Sequence, residues 1–396
     1  MGDFSIEEGN KMRNPGAKIK VIGVGGGGGN MINHIVREGI NQLSGMRTVD
    51  LIAANTDLQA LDSTLEPTTP ITLGEKTTRG LGAGQQPEVG KKAAEESYDE
   101  VKTILEQADI VFVSAGMGGG TGTGAAPIVV RAAKEIGALT VAIVTTPFAF
   151  EGKKRMRLAL EGIDELRKEC DSIVIIPNQK LSSIVDRRAG YKECFKVVDK
   201  VLAQAVSGMT SIILDSGNGD VNLDFADVRT AMSHRGLSLM GVGDAKGEAA
   251  ASEALKNATQ SPLLENMNVK KAKGMLVNFK FNPNYPFIEI EEAMTMLQED
   301  MESDEADVFF GTVTDESMDE DLVEVTVIAT GFDDNKEKAK PIENESNEKA
   351  TDKKAAQAVS NDLFSAFAGR KVSGGYEFDL DSDELDKPAI LRHRLD

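Results

Sequence analysis

The stretch AGMGGGTGTGAAP, residues 115–127, sets six glycines and two threonines among thirteen residues and contains no lysine. It stands between the apolar run ADIVFVS and the helix-like PIVVRAAKEIG. Glycine loses more backbone freedom on ordering than any other residue, so a dense cluster inside a folded region needs a local reason. A flexible linker, a dinucleotide turn and a cradle for nucleotide phosphates are the candidates. The same order of strand, glycine turn and helix occurs earlier, in AKIKVIGVGGGGGNMINHIVREGI from residue 17. A linker is a poor reading of either, because both turns lead directly into helices. A helix N-terminus presents unpaired N–H groups and the positive end of the macrodipole, and glycine lets a phosphate approach closely.

The rest of the first half keeps the βαβ rhythm. VDLIAANTD, LTVAIVTT and SIVIIPN read as further strands, and their near-continuous Val/Ile runs suit a parallel sheet covered on both faces. The expected fold class is α/β, a Rossmann-like parallel sheet with a long central helix and a smaller α+β C-terminal domain. YKECFKVVDKVLAQAVSGMTSIIL, 191–214, carries Phe195, Val198, Leu202, Ala205 and Met209 at helical spacing and reads as that helix. A helix near 249–259 and the strand-like KGMLVNFKF, ADVFFGTVT and LVEVTVIATGF form the smaller domain. The expected divisions are an N-terminal arm over 1–17, a nucleotide-binding domain over 18–190 and the central helix with its connection over 191–216. The C-terminal domain follows over 217–332, then a linker poor in apolar residues over 333–378 and a terminal peptide over 379–396.

Charge narrows the ligand class. With Lys+Arg 44 against Asp+Glu 64, a net charge of −20, the chain is a poor sequence-independent nucleic-acid binder, and any phosphate site must rely on backbone donors. Two cysteines, Cys170 and Cys194, and three histidines support neither a disulfide framework nor a zinc site. No apolar stretch of membrane-spanning length occurs and the N-terminus is polar, which leads to the expectation of a cytoplasmic protein.

Gly23, Gly25 and Gly28 satisfy GxGxxG, and Asp50 lies about 20 residues beyond, as in a dinucleotide fingerprint. Glycine runs meet that pattern easily, and a second Gly/Thr turn on a later strand favours a nucleotide with several phosphates gripped from two loops. A Walker A loop is absent, since GEKT at 74–77 has Glu75 where glycine should precede the lysine. A nicotinamide-dependent oxidoreductase and a nucleotide-holding module that does not polymerise remain as alternatives.

GGGTGTG at 118–124 resembles the signature of the tubulin/FtsZ superfamily. VIGVGGGGGN, GLGAGQQPEVG, FEGKKR, IPN and NLDFADVRTAM follow the order of its bacterial branch over residues 18–332, and LDKPAILRHR resembles that branch's partner-binding tail. The resemblance implies a GTPase that polymerises head to tail as the scaffold of the division ring, binds GTP or GDP with Mg²⁺ on the phosphates, and lies in the cytoplasm at mid-cell. It implies further that the tail recruits membrane-tethering and regulatory division proteins, with no nucleic acid bound and no direct membrane insertion.

Carried over by position, the resemblance assigns Gly26, Gly27, Gly28, Gly29 and Asn30 to the first nucleotide loop. Gly118, Gly119, Gly120, Thr121, Gly122 and Thr123 become the phosphate cradle. Ala83 and Gly84, within a loop over 80–90, become the γ-phosphate sensor. Glu151 and Arg155 fall on the ribose and phosphate side, while Asn178, Phe195 and Asp199 face guanine, whose N1–H and N2–H₂ edge a carboxylate can accept. Asn222, Asp224 and Asp227 become the catalytic group, inserted into the pocket of the next subunit. Simpler readings stand beside these: Phe195 as helix core, Glu151 and Arg155 as an i,i+4 ion pair, and the acids of NLDFADV as helix caps. LDSGNGDVN at 214–222 departs from the Pro-Gly turn usual before the catalytic run, and the His-Arg pair of SHRG at 233–236 reads as solvated or interfacial.

Overall fold

A computed structural model describes residues 17–37, 49–181, 190–214, 225–233, 237–261, 264, 271–302 and 306–332. The N-terminal arm before Ala17, the linker, the tail peptide, the unusual loop from residue 215 onward with Asn222 and Asp224, and the SHRG segment apart from Ser233 lie outside the described residues. The strands are β1 (Ile19–Val24), β2 (Asp50–Asn55), β3 (Thr69–Thr72), β4 (Ile110–Gly116), β5 (Leu139–Thr146), β6 (Ser172–Pro177), β7 (Leu237–Lys246), β8 (Gly274–Phe281), β9 (Asp307–Thr314) and β10 (Leu322–Phe332). They form one sheet in the order β3-β2-β1-β4-β5-β6-β7-β10-β8-β9. The first six are parallel, as the Val/Ile runs predict. β7 joins them through Ile173–Leu237 and Val174–Ser238 alone, and β10 pairs antiparallel with both β7 and β8.

The helices are α1 (Gly25–Arg37), α2 (Leu58–Leu61), α3 (Glu75–Thr78), α4 (Pro87–Glu96), α5 (Tyr98–Leu105), α6 (Thr121–Glu135), α7 (Lys153–Glu169), α8 (Asn178–Leu181), α9 (Tyr191–Leu214), α10 (Phe225–Ser233), α11 (Ala250–Thr259) and α12 (Phe287–Asp300). Strand alternation feeds two cores. Val21 and Phe112 face Met31, Ile35 and Leu202 on the α1 and α9 side, whereas Ile22, Val111 and Val113 face Ala93, Val129 and Leu166 on the α4 to α7 side. A third core joins α11 and α12 to the outer face of β7, β8 and β10.

The central helix forms as its spacing predicts. Val198, Val201, Leu202, Ala205, Val206 and Met209 recur at three- and four-residue intervals and are buried, and their core continues into Met240, Leu276 and Ile328 of the second half. At 24 residues, α9 spans about 36 Å and ties the two halves together. The loop expected over 80–90 ends earlier. Pro87 at the first position of α4 starts a helix, because its fixed φ and missing N–H cost nothing there.

Candidate functional site

Strands 1, 2 and 3 run outward in one direction from β1, and 4, 5 and 6 in the other, so the chain reverses between β1 and β4. In open α/β sheets this switch point, at the carboxyl ends of the strands, is where ligands bind. Both glycine turns open here. Gly25 starts α1 directly after Val24, and four residues separate Gly116 of β4 from Thr121 of α6. The two helix starts touch through backbone: a Cβ on Gly25 would stand 2.8 Å from the Gly122 nitrogen. Neither first turn carries an acidic residue, and no side chain caps α6. Two positive helix ends therefore converge with nothing anionic between them.

The glycines of the two turns divide by what a side chain would meet. A Cβ on Gly28 would lie 2.5 Å from the Ser114 carbonyl oxygen, one on Gly122 2.5 Å from that of Gly116, and one on Gly124 1.9 Å from that of Pro87. These glycines let helix and strand approach. Gly26, Gly29 and Gly119 meet nothing within 4 Å. No internal packing requires them, and they border the open side of the junction. Beside α1, Gly26, Gly29, Asn30, Asn33 and Asn55 help line a small, partly open cleft.

The threonine hydroxyls hold the second turn together. Thr123 Oγ1 accepts the Gly118 N–H at 2.8 Å, and Thr121 Oγ1 lies 2.7 Å from Thr56 Oγ1 in a buried contact. The segment 79–86 leans on the same turn: a Cβ on Gly120 would stand 2.8 Å from the Ala83 methyl and 2.9 Å from the Gln86 nitrogen.

On the α9 side, Glu151 Oε1 accepts the Phe148 N–H at 2.8 Å, and Oε2 pairs with Arg155 at 2.8 Å. The i,i+4 ion pair is therefore real. Arg155 also packs over the second turn, its carbonyl oxygen 2.6 Å from a Cβ placed on Gly118, while its buried Nε has no hydrogen-bond partner. Asn178 is buried at the end of β6, and its Oδ1 has no partner either. Phe195 is half-buried, edge-on to Phe148 at 5.3 Å, and Phe148 stacks on exposed Phe150 at 5.2 Å. One turn along α9, burial pushes the Asp199 carboxyl up from 3.8 to about 6, with Arg37 opposing the shift. An orphaned acceptor, Asn178 Oδ1, beside a desolvated carboxyl is what a donor-bearing ligand would satisfy, while the orphaned Arg155 N–H calls for an acceptor such as a phosphate or ribose oxygen.

Asp227 stands elsewhere. It is half-buried in the first turn of α10, two residues from Arg229, which donates to the Gly137 carbonyl at 3.4 Å. Gly137 precedes β5, whereas Met117 of the second glycine turn donates to Thr145 at the far end of that strand at 2.9 Å. Eight strand residues, about 26 Å, separate these ends. Asp227 and the glycine turns thus lie toward opposite ends of the parallel strands. Cys170 is buried and its thiol is pushed up to about 12 by that burial, so it is unreactive.

The Tubulin/FtsZ family GTPase-domain model matches residues 18–186, and the FtsZ family C-terminal-domain model matches 236–333. The cell division protein FtsZ of Helicobacter pylori strain J99 is 47% identical over 335 residues, 85% of each chain. The chain belongs to the FtsZ family. It is a tubulin-like GTPase of cell division that polymerises, and it binds guanine nucleotide. An empty FtsZ dimer from M. jannaschii has a TM-score of 0.73 and 40% identity, covering 80% of this chain and 88% of that one. A GTPγS-bound CetZ2 protofilament from Haloferax volcanii, at TM-score 0.65 and 21% identity over 79% and 92% of the two chains, shares the fold.

Membership of the FtsZ family removes the oxidoreductase alternative, and the geometry says why the fingerprint misled. A dinucleotide-binding acid stands at the carboxyl end of β2. Asp50 instead begins β2 and pairs with Lys20 at 3.7 Å, while Asn55 occupies the carboxyl end. Phe148 and Asn55, which lie beside this junction, were not anticipated, nor was Thr56, which is fully buried and braces the second turn from behind. NTD at 55–57, directly after a strand and before a helix, is the signal that could have found the last two. Among the described residues no helix is long and apolar enough to cross a membrane.

Proposed function

We propose that GTP lies with its phosphates between the N-termini of α1 and α6 and beneath the 79–86 segment, and with its base between α1 and α9. Gly26, Gly27, Gly28, Gly29 and Asn30 border the phosphates from α1. Gly118, Gly119, Gly120, Thr121, Gly122 and Thr123 border them from α6, and Ala83 and Gly84 face the γ-phosphate. Glu151 and Arg155 take the ribose and phosphate side. Asp199 accepts from guanine N1–H and N2–H₂, Asn178 offers its orphaned oxygen, and Phe195 presents an aromatic edge. The observation that carries this reading is the set of glycines facing open space where two helix dipoles meet, with an unsatisfied acceptor, Asn178 Oδ1, and an unsatisfied donor, Arg155 Nε, alongside. Among the described residues no three metal-ligating side chains converge. Mg²⁺ would then be held by phosphate oxygens, where it neutralises charge.

Hydrolysis then belongs to the contact between two subunits. Asn222, Asp224 and Asp227 of one copy orient water at the γ-phosphate of the next, so turnover depends on assembly. Support comes from the position of Asp227 toward the opposite strand ends from its own glycine turns, and from the repulsion that acids held permanently beside a triphosphate would create. Assembly at mid-cell, with tethering and regulatory proteins bound by 379–396, completes the proposal.

The glycine classes make a direct test. Gly119→Val should keep the melting temperature and weaken GTP more than about tenfold by filling ligand space. Gly124→Ala should instead lower the melting temperature by about 5 °C or more through overpacking against α4. Equal thermal losses in both would reject the assignment.

Acid should also weaken binding. The folded, nucleotide-free state binds the Asp199 proton more tightly than the unfolded chain, so its stability falls as pH rises from 3.8 to about 6. Guanine needs the carboxylate. Affinity measured by calorimetry should therefore be about tenfold lower at pH 5 than at pH 7.5, and Asp199→Asn should flatten that profile.

A further inference from the structure

Thr56 sits between the second glycine turn and the 79–86 segment, completely buried, with every polar atom engaged. Its N–H donates to Asn55 Oδ1 at 2.8 Å. Its hydroxyl lies 2.7 Å from that of Thr121, the first residue of α6. Its carbonyl oxygen accepts the Gly82 N–H at 3.0 Å and lies 3.2 Å from the Thr78 hydroxyl, whose one proton it shares with the Gly74 carbonyl at 3.0 Å. Thr78 Oγ1 in turn accepts the Gly80 N–H at 3.4 Å. One residue thus holds the start of the phosphate helix by its side chain and both sides of Leu81 by its backbone.

The segment it holds is conformationally loaded. Arg79, Gly80, Gly82, Gly84 and Gln85 all have positive φ, between 54° and 82°, and for Arg79 and Gln85 that region is disfavoured. Leu81, between two of these glycines, is 84% exposed and neighbours Leu58 at 46%. The segment has other supports: the Leu58 N–H donates to the Gly80 carbonyl at 3.1 Å, the Leu81 N–H donates to the Thr78 carbonyl at 3.1 Å, and Glu96 accepts the Lys76 and Thr77 N–H groups and fixes α3, but of all these supports only Thr56 also reaches the phosphate helix.

We propose that Thr56 is a positioning residue that couples the phosphate cradle to the 79–86 segment, so that a ligand pulling on Thr121 shifts the backbone around exposed Leu81. The coupling rests on the reading that the γ-phosphate reaches this segment. Loss of the hydroxyl disconnects the two without removing a ligand contact.

The test is hydrogen exchange of the 80–84 amides in the full chain, kept below its assembly threshold, with GDP or a slowly hydrolysed GTP analogue. The parent chain should protect Gly82 differently with the two nucleotides. Thr56→Val should erase that difference while retaining GDP affinity, and should raise the GTP assembly threshold about fivefold or more. Thr56→Ser should restore both. Thr78→Val, which leaves the Thr56–Thr121 contact in place, should also erase the difference. A parent chain that responds, together with Thr56→Val responding equally, overturns the coupling alone. Thr56→Val losing protection equally with both nucleotides makes the residue merely structural and also overturns it. A parent chain that does not respond removes the γ-phosphate reading and the coupling together.

Discussion

Asp227→Ala should bind GTP with parental affinity and sediment as polymer, yet release phosphate at least about 100-fold more slowly, the scale expected when a positioned acid–base group is lost. The expectation follows from place. α10 is tied to the start of β5 through Arg229 and Gly137, and Thr330 Oγ1 donates to the Ala231 carbonyl at 2.6 Å, fixing the helix on β10. Asp227 is therefore rigidly held about one strand length from its own phosphate cradle, and its removal cannot disturb nucleotide contacts within the same chain. A variant that loses affinity and turnover together would place the acid inside its own pocket. A variant that hydrolyses normally would remove it from the chemistry.

Asp199→Asn should lower GTP affinity by about 30-fold or more, because a carboxylate that accepts two hydrogen bonds is replaced by an amide that accepts one and opposes a donor with a donor. Xanthosine triphosphate, which offers an N–H beside a carbonyl oxygen, should bind the variant better than GTP does. Competition against a fluorescent guanine nucleotide reads both effects. Unchanged preference for GTP would move the base away from α9. The raised titration of this carboxyl in the nucleotide-free chain points the same way, since guanine's two donors would replace the water it has lost.

How much of this could be read in advance depended on which contacts were local. The parallel strands β1, β4, β5 and β6 and the 24-residue α9 announce themselves by Val/Ile runs and helical spacing. β3 is a four-residue edge strand containing Pro70, too short to carry a pattern. β7 contains Gly241 and Gly243, which read as turn residues. They are glycines because α11 lies against them, with a Cβ at either 2.1 or 2.3 Å from the Ala258 or Ala254 carbonyl oxygen. Pro87, at the first position of α4, was the missed signal that the loop expected over 80–90 ends early. Thr56 was not readable, because its importance lies in partners 22 to 65 residues away.

In the site, residue types were legible and their division of labour was not. Glycines that pack and glycines that face open space look alike in GGGTGTG, and only the positions of Arg155, Ala83, Gly116 and Pro87 separate them. The same holds for the threonines, whose hydroxyls brace the loop as well as bordering the cradle.

A site shared between subunits can be rebuilt from two defective ones. Asp227→Ala keeps an intact pocket and lacks the acid, whereas Asp199→Ala keeps the acid and lacks the base contact. Each alone, above the assembly threshold, should release little phosphate. Mixed in equal amounts, they should form contacts in which an intact pocket meets an intact acid, recovering about one quarter of parental turnover for random head-to-tail order. A mixture no more active than its components would contradict a composite site.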